Sequence, residues 1–102
     1  MSQIHFGDVV DIKMADGSTI KGLVVGSNNT IREGHKVPCA YVVEGNPNGA
    51  VPLFTEVIPG VGVALLDTLF TPLRDRLTRE GHKIDESRHE DVGRRIRYQF
   101  GG

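Results

Sequence analysis

A chain of 102 residues with 12 Lys and Arg against 13 Asp and Glu has a formal net charge of −1 and room for one small core. At this size about two-thirds of the unfolded surface leaves water, which excludes a second domain, and the near-neutral charge excludes a global attraction for a polyanion, so any nucleic-acid contact has to come from a local patch. A single cysteine, Cys39, excludes an intrachain disulfide, and the longest apolar segment, Val57 to Phe70, is broken by Pro59, Gly60, Gly62 and Asp67 and is too short to span a bilayer.

From Phe6 to Ile58 the pattern is that of β-structure. Val9-Val10-Asp11-Ile12-Lys13-Met14 partly alternates, and Ala15-Asp16-Gly17-Ser18 supplies a turn with Asp-Gly at its centre. Thr19 to Val25 reads as the returning strand, apolar enough to be buried, and Ser27-Asn28-Asn29 stops it. A polar loop, Asn28 to Lys36, leads to a strand over Val37 to Glu44. Pro38 demotes the start of that strand to an edge or bulge, because proline has no amide hydrogen for a ladder. Gly45-Asn46-Pro47-Asn48-Gly49 is the densest turn signal; a strand over Ala50 to Ile58, a Pro59-Gly60 break and a strand over Val61 to Leu66 follow. Short strands at this spacing, with no helix between them, predict a small SH3-like curled β-barrel over about residues 6–70. Asp67 ends the last apolar run. A buried, unpaired carboxylate is costly, so a partner or a chemical role is expected for it.

The remainder, about residues 72–100, reads as helical, and the fold class as mainly β with a C-terminal helix packed on the barrel. Thr71-Pro72 suits a cap and first turn and Gly81 a stop, which predicts a short helix over Pro72 to Glu80. Ser87-Arg88-His89-Glu90 matches a capping box, and Val92, Ile96 and Phe100 then recur every fourth residue as a narrow apolar stripe. Charge segregates weakly along the chain: Arg74 to Arg97 has a small positive balance and the first sixty residues a small negative one. The N-terminal residues carry no basic region followed by an apolar stretch, so a reducing cytoplasm is the expected location.

Several of these segments, in order, resemble the MazF/PemK family of toxin–antitoxin ribonucleases, whose fold is shared with the gyrase poison CcdB. Gly7-Asp8-Val9-Val10 is similar to the family's opening Gly-Asp and apolar strand. Lys21-Gly22-Leu23-Val24-Val25-Gly26-Ser27 is similar to its Arg-Pro-x-Val-Val-x-Ser segment, and Gly62-Val63-Ala64-Leu65-Leu66-Asp67 to its Gly-Val-x-x-x-Asp. The resemblance covers nearly the whole length and implies a CcdB/MazF-type barrel, a homodimer, an antitoxin partner, and metal-independent cleavage of single-stranded RNA with no cofactor and no membrane. It implies Asp67 as a catalytic group; Lys21 and Glu44 are this chain's own catalytic candidates beside it, and Lys13, Asn28, Asn46 and Arg76 its candidate contacts to RNA. The chain also departs from the pattern. Lys21 stands where the family has arginine and Gly22 where it has proline. Glu44, Gly45 and Asn46, or Ala40 in a looser alignment, stand where it has threonine or serine, and Leu65 stands where PemK-type members have arginine. The hairpin turn Ala15 to Ser18 is shorter than the family's RNA-holding loop.

Cleavage of this kind needs a base for the 2′-hydroxyl proton, a cation for the developing phosphorane charge and an acid for the leaving oxygen. Asp67 is the candidate base, with a strand-end cap or ion pair as its structural alternative. Lys21 is the candidate cation, a point charge rather than a two-pronged arginine contact. Glu44 is a substitute acid or base if it faces the same groove, and a solvated strand-end carboxylate otherwise. His35, Cys39, His82 and His89 show no metal-ligand spacing, and Cys39 reads as a small core residue. The departures motivate a second reading, a barrel that binds an antitoxin or, CcdB-like, a topoisomerase through the tail Tyr98-Gln99-Phe100-Gly101-Gly102. A third is an unrelated SH3-like barrel from a phage or plasmid accessory gene.

Overall fold

The computed structural model, which describes residues 4–27, 31, 34–45 and 52–99, has six strands and a C-terminal helix among them. These are β1 (Asp8–Lys13), β2 (Thr19–Val24), β3 (Cys39–Val43), β4 (Thr55–Ile58), β5 (Gly62–Phe70), β6 (Leu77–Lys83) and α1 (His89–Tyr98). They form one sheet in the order β4-β5-β3-β2-β1-β6, every neighbour antiparallel. The hairpin forms one residue off the expected centre: the Gly17 amide donates to the Met14 carbonyl at 3.0 Å, placing Ala15-Asp16 at the centre of the turn, Gly17 follows at a φ of 90°, and Asp16 Oδ1 accepts the Ser18 amide at 2.9 Å.

Alternation along the strands divides the apolar residues between two faces. Val9, Leu23, Ala40, Val42, Ala64 and Leu66 line one face and pack with Ile58, Ile84, Val92 and Ile96. Val10, Ile12, Val24 and Cys39 line the other with Ile31 and Val37. The first cluster lies under α1, whose only buried residues are Val92 and Ile96. Each such side chain, fully buried, stabilises the fold by about 1.5–3 kcal/mol. Gln99 ties the end of α1 down by donating to the Leu66 carbonyl at 2.6 Å. Where β5 begins, a Cβ on Gly62 would lie 2.2 Å from the Val43 carbonyl oxygen, so only glycine allows these backbones to approach.

Two register shifts interrupt the ladders. Ala40 pairs with Leu69 while Tyr41 pairs with Leu65, so Leu66, Asp67 and Thr68 bulge out of β5. Asp8 pairs with Lys83 while Val10 pairs with Arg79, so Glu80, Gly81 and His82 bulge out of β6, with Gly81 at a φ of 106°. Bulges bend a strand and re-aim its side chains. Both fall on residues with chemistry to offer.

Three sequence expectations need correction. The segment Pro72 to Glu80 is not a helix. The Pro72 carbonyl accepts the Val37 amide, Arg74–Arg76 form a single 3₁₀ turn, and β6 runs on to pair with β1. As an edge strand with only Leu77 and Glu80 partly buried, it takes its stability from the ladder and needs no apolar face. The capping box does not form either: Asp85 caps a 3₁₀ turn over Glu86–Arg88 by accepting the Ser87 amide, and α1 starts from Arg88 without a side-chain cap. Third, Asp67 is neither at a strand end nor buried. β5 continues to Phe70, and the bulge carries Asp67 into solvent. Phe100 and the Gly45 to Gly49 turn beyond Gly45 lie outside the described residues. Among the described residues no helix is long and apolar enough to cross a membrane.

Candidate functional site

Pairing about Asp16 sets Lys21 of β2 opposite Asp11 of β1, and the β6 bulge brings Glu80 to the same spot. The Lys21 ammonium lies 2.9 Å from Asp11 Oδ1 and 3.2 Å from Glu80 Oε2. The other Glu80 oxygen accepts the His82 amide at 3.0 Å and is in hydrogen-bond contact with His82 Nδ1. Glu80 is largely covered, its side chain 13% exposed, whereas His82 is about half exposed. The hydrogen bond to Asp11 raises Lys21 above its usual 10.5; burial opposes this, and Glu80 reinforces it, so the ammonium persists across the physiological range. Burial alone would raise Glu80, but the bonds from His82 and Lys21 outweigh it and hold the carboxyl below its usual 4.5. An ionised carboxylate against Nδ1 fixes the proton on that nitrogen and leaves Nε2 as the acceptor. Nε2 has no hydrogen-bond partner among the described residues, and it faces the Pro59-Gly60 turn: a Cβ on Gly60 would lie 3.6 Å from it. One cation, one oriented imidazole and two carboxylates therefore share one patch, spread over β1, β2 and β6.

The other sequence-derived residues fall around this patch or away from it. Lys13 follows Asp11 by two positions, on the same face of β1, and Arg76 immediately precedes Leu77, the partner of Ile12, so both are exposed basic residues at the hairpin end of the patch. Glu44 lies just past β3, two residues beyond Val42, which pairs with Lys21. Asp67 is remote in register. It sits in the β5 bulge beside the start of β3, exposed, with Thr68 Oγ1 donating to Oδ1 at 3.4 Å. Lys21 and Asp67 are separated by the whole of β3. Asn28 and Asn46 lie outside the described residues.

Asp11, Glu80 and His82 were not singled out from the sequence. Asp11 was only half legible: a turn centred between Asp16 and Gly17 would set Lys21 opposite Ile12, and the pairing, centred on Asp16, sets it opposite Asp11. Glu80 was hidden by the reading of Pro72 to Glu80 as helix, and His82, just past the expected Gly81 stop, by a strand with no apolar period.

Elsewhere, the Cys39 thiol is fully buried, and burial pushes it up to about 12, which leaves it without nucleophilic character at neutral pH. Buried Glu56 of β4 receives two hydrogen bonds from Arg88 at 2.9 Å and a third from Arg95, which also donates to the Thr55 carbonyl at 2.7 Å. This clasp holds α1 against the β4 edge. A cleft of about 1,090 Å³ beside it runs past buried Asp8, Arg79, Lys83 and His89, and a smaller one of about 440 Å³ lies between α1 and Phe6.

No family model and no curated protein matches the chain. Solved structures do. A mycobacterial endoribonuclease in complex with its cognate antitoxin is 15% identical, with a TM-score of 0.77 over 96% of this chain and 95% of that one. The MazE–MazF complex of Deinococcus radiodurans (Form-I) is 15% identical, with a TM-score of 0.79 over 100% of both chains. MazF alone from the same organism (Form-I) is 14% identical, with a TM-score of 0.77 over 100% of both. At this identity the likeness carries the fold: the chain has the MazF fold, six antiparallel strands in a curled half-barrel with one C-terminal helix. The resemblance read from the sequence holds at that level.

Proposed function

We propose that this chain is the toxin of a toxin–antitoxin pair, a cytoplasmic homodimer that cleaves single-stranded RNA without a metal and is silenced by an antitoxin segment lying over the same surface. The observation that carries the reading is the end-to-end likeness to an endoribonuclease seen with its antitoxin. The Lys21 patch supports it by offering a permanent cation beside groups able to move a proton. In this reading Lys21 stabilises the phosphorane charge, Lys13, Arg76, Asn28 and Asn46 hold the strand, and Asp67 and Glu44 are the carboxylates to be tested for proton transfer.

A second reading is favoured by one observation. Two carboxylates already occupy Lys21, as expected of a barrel that binds an antitoxin or, CcdB-like, a topoisomerase and cleaves nothing. The exposed Tyr98 on α1 would then belong to its contact surface.

Induced expression separates the two readings, with growth and total RNA followed together. The nuclease predicts arrest with fragmented RNA, reversed by a cognate antitoxin and weakened in Lys21→Ala. Arrest with intact RNA supports the binding module and overturns the nuclease.

A further inference from the structure

Resting on the nuclease reading, we propose that His82, oriented by Glu80, is the catalytic base of this chain, so that proton transfer runs through the β6 bulge.

Three observations converge on it. The bulge, with Gly81 in the left-handed region that favours glycine, interrupts the ladder and places Glu80 against Lys21 and His82 against Glu80. Glu80 is bidentate in function. One oxygen holds the ammonium, while the other holds the imidazole through both its Nδ1 and its backbone amide. Glu80 is thereby a positioning residue, fixing tautomer and ring together. The half-exposed imidazole leaves Nε2, without a partner among the described residues, as the acceptor a 2′-hydroxyl requires. Asp67, exposed and with only Thr68 as a hydrogen-bond partner among the described residues, has no comparable arrangement.

The step balances as follows. His82 Nε2 takes the 2′-hydroxyl proton as the 2′-oxygen bonds to the adjacent phosphorus. The bond from phosphorus to the 5′-oxygen breaks, and that oxygen takes a proton from solvent. The products are a 2′,3′-cyclic phosphate and a 5′-hydroxyl. The Lys21 ammonium, exchanging Asp11 for a non-bridging phosphate oxygen, carries the added charge. Among the described residues, the charged groups facing His82 are Glu80 on its own strand and, through Glu80, Lys21 of β2 and Asp11 of β1; Gly60 in the β4–β5 turn contributes none.

The test is single-turnover cleavage of a single-stranded RNA in EDTA between pH 5 and 9, using the full chain. His82→Ala should lower the rate about 100-fold or more, with added imidazole restoring part of it, and circular dichroism should confirm the fold. Glu80→Gln should move the rising limb of the pH profile, a change that a purely structural role would leave in place. His82→Gln provides a second variant should the alanine fail to fold. A wild type that cleaves with His82→Ala or His82→Gln equally fast, or a rate lost in Asp67→Asn and kept without His82, overturns the dyad and leaves the nuclease standing. A wild type that leaves RNA intact overturns both.

Discussion

Lys21 is paired with Asp11 at 2.9 Å and Glu80 at 3.2 Å, and the competition these carboxylates offer an incoming phosphate is the residue-scale feature with the clearest consequence. An anion that binds at Lys21 has to displace a carboxylate first. The pair is about one-third exposed on each side, so solvent screens it and the competition is modest, up to about 1 kcal/mol. Asp11→Asn should therefore strengthen RNA binding, lowering KM by up to about five-fold with little change in kcat. Fluorescence anisotropy with an uncleavable 2′-deoxy analogue measures it directly. Weaker binding in Asp11→Asn would mean that the carboxylate orients Lys21 instead of blocking it. The arginine expected by the resemblance would have gripped a phosphate with two parallel bonds; lysine gives one point charge, which a neighbouring carboxylate neutralises with ease.

At the scale of elements, the attachment of α1 has two separable parts. The apolar part is Val92 and Ile96 against β5 and its neighbours, and truncating Ile96→Ala should cost about 2–4 kcal/mol in urea denaturation. The polar part is the Glu56 clasp. Removing its carboxylate takes from Arg95, 12% exposed, its charge partner on β4 while leaving its pair with Asp91 at 3.0 Å, so Glu56→Ala should cost about 1–3 kcal/mol. The clasp also has a pH signature. Burial alone would raise Glu56, but the bonds from Arg88 and Arg95 outweigh it, so its folded value lies below the usual 4.5. A carboxyl lowered on folding contributes fully above its unfolded value and loses that contribution as the pH falls through the folded one. The stability difference between wild type and Glu56→Gln should thus be constant above about pH 5 and shrink below 4.5; a difference that widens in acid would contradict the clasp. Element boundaries were legible where one face is apolar: β1, β2, β3 and the Val92–Ile96 stripe announce themselves by period. The strand β6 does not, because Thr78, Arg79, Gly81, His82 and Lys83 are all exposed and ladder hydrogen bonds to β1 leave no trace in composition.

For the molecule as a whole, turn residues and strand spacing were enough to reach the curled barrel, and the MazF likeness came from the resemblance of Gly7 to Val10, Lys21 to Ser27 and Gly62 to Asp67 to that family's segments. The site was legible only in part. Lys21 could be named, but of its two partners Glu80 comes from a strand distant in the chain and lies in a bulge that no local pattern announces. Asp67 looked buried because Gly62 to Leu66 is apolar; the β5 bulge, a feature of pairing with β3, brings it to the surface. The account rests on the partly exposed Lys21 cation, held between carboxylates of β1 and β6, acting on RNA. Mass spectrometry of RNA ends after incubation with the purified protein in EDTA tests this most directly. Fragments ending in 2′,3′-cyclic phosphate, reduced at least about 100-fold in Lys21→Ala, are the predicted result. Intact RNA at enzyme excess, from a protein that is folded and binds its antitoxin, would contradict it.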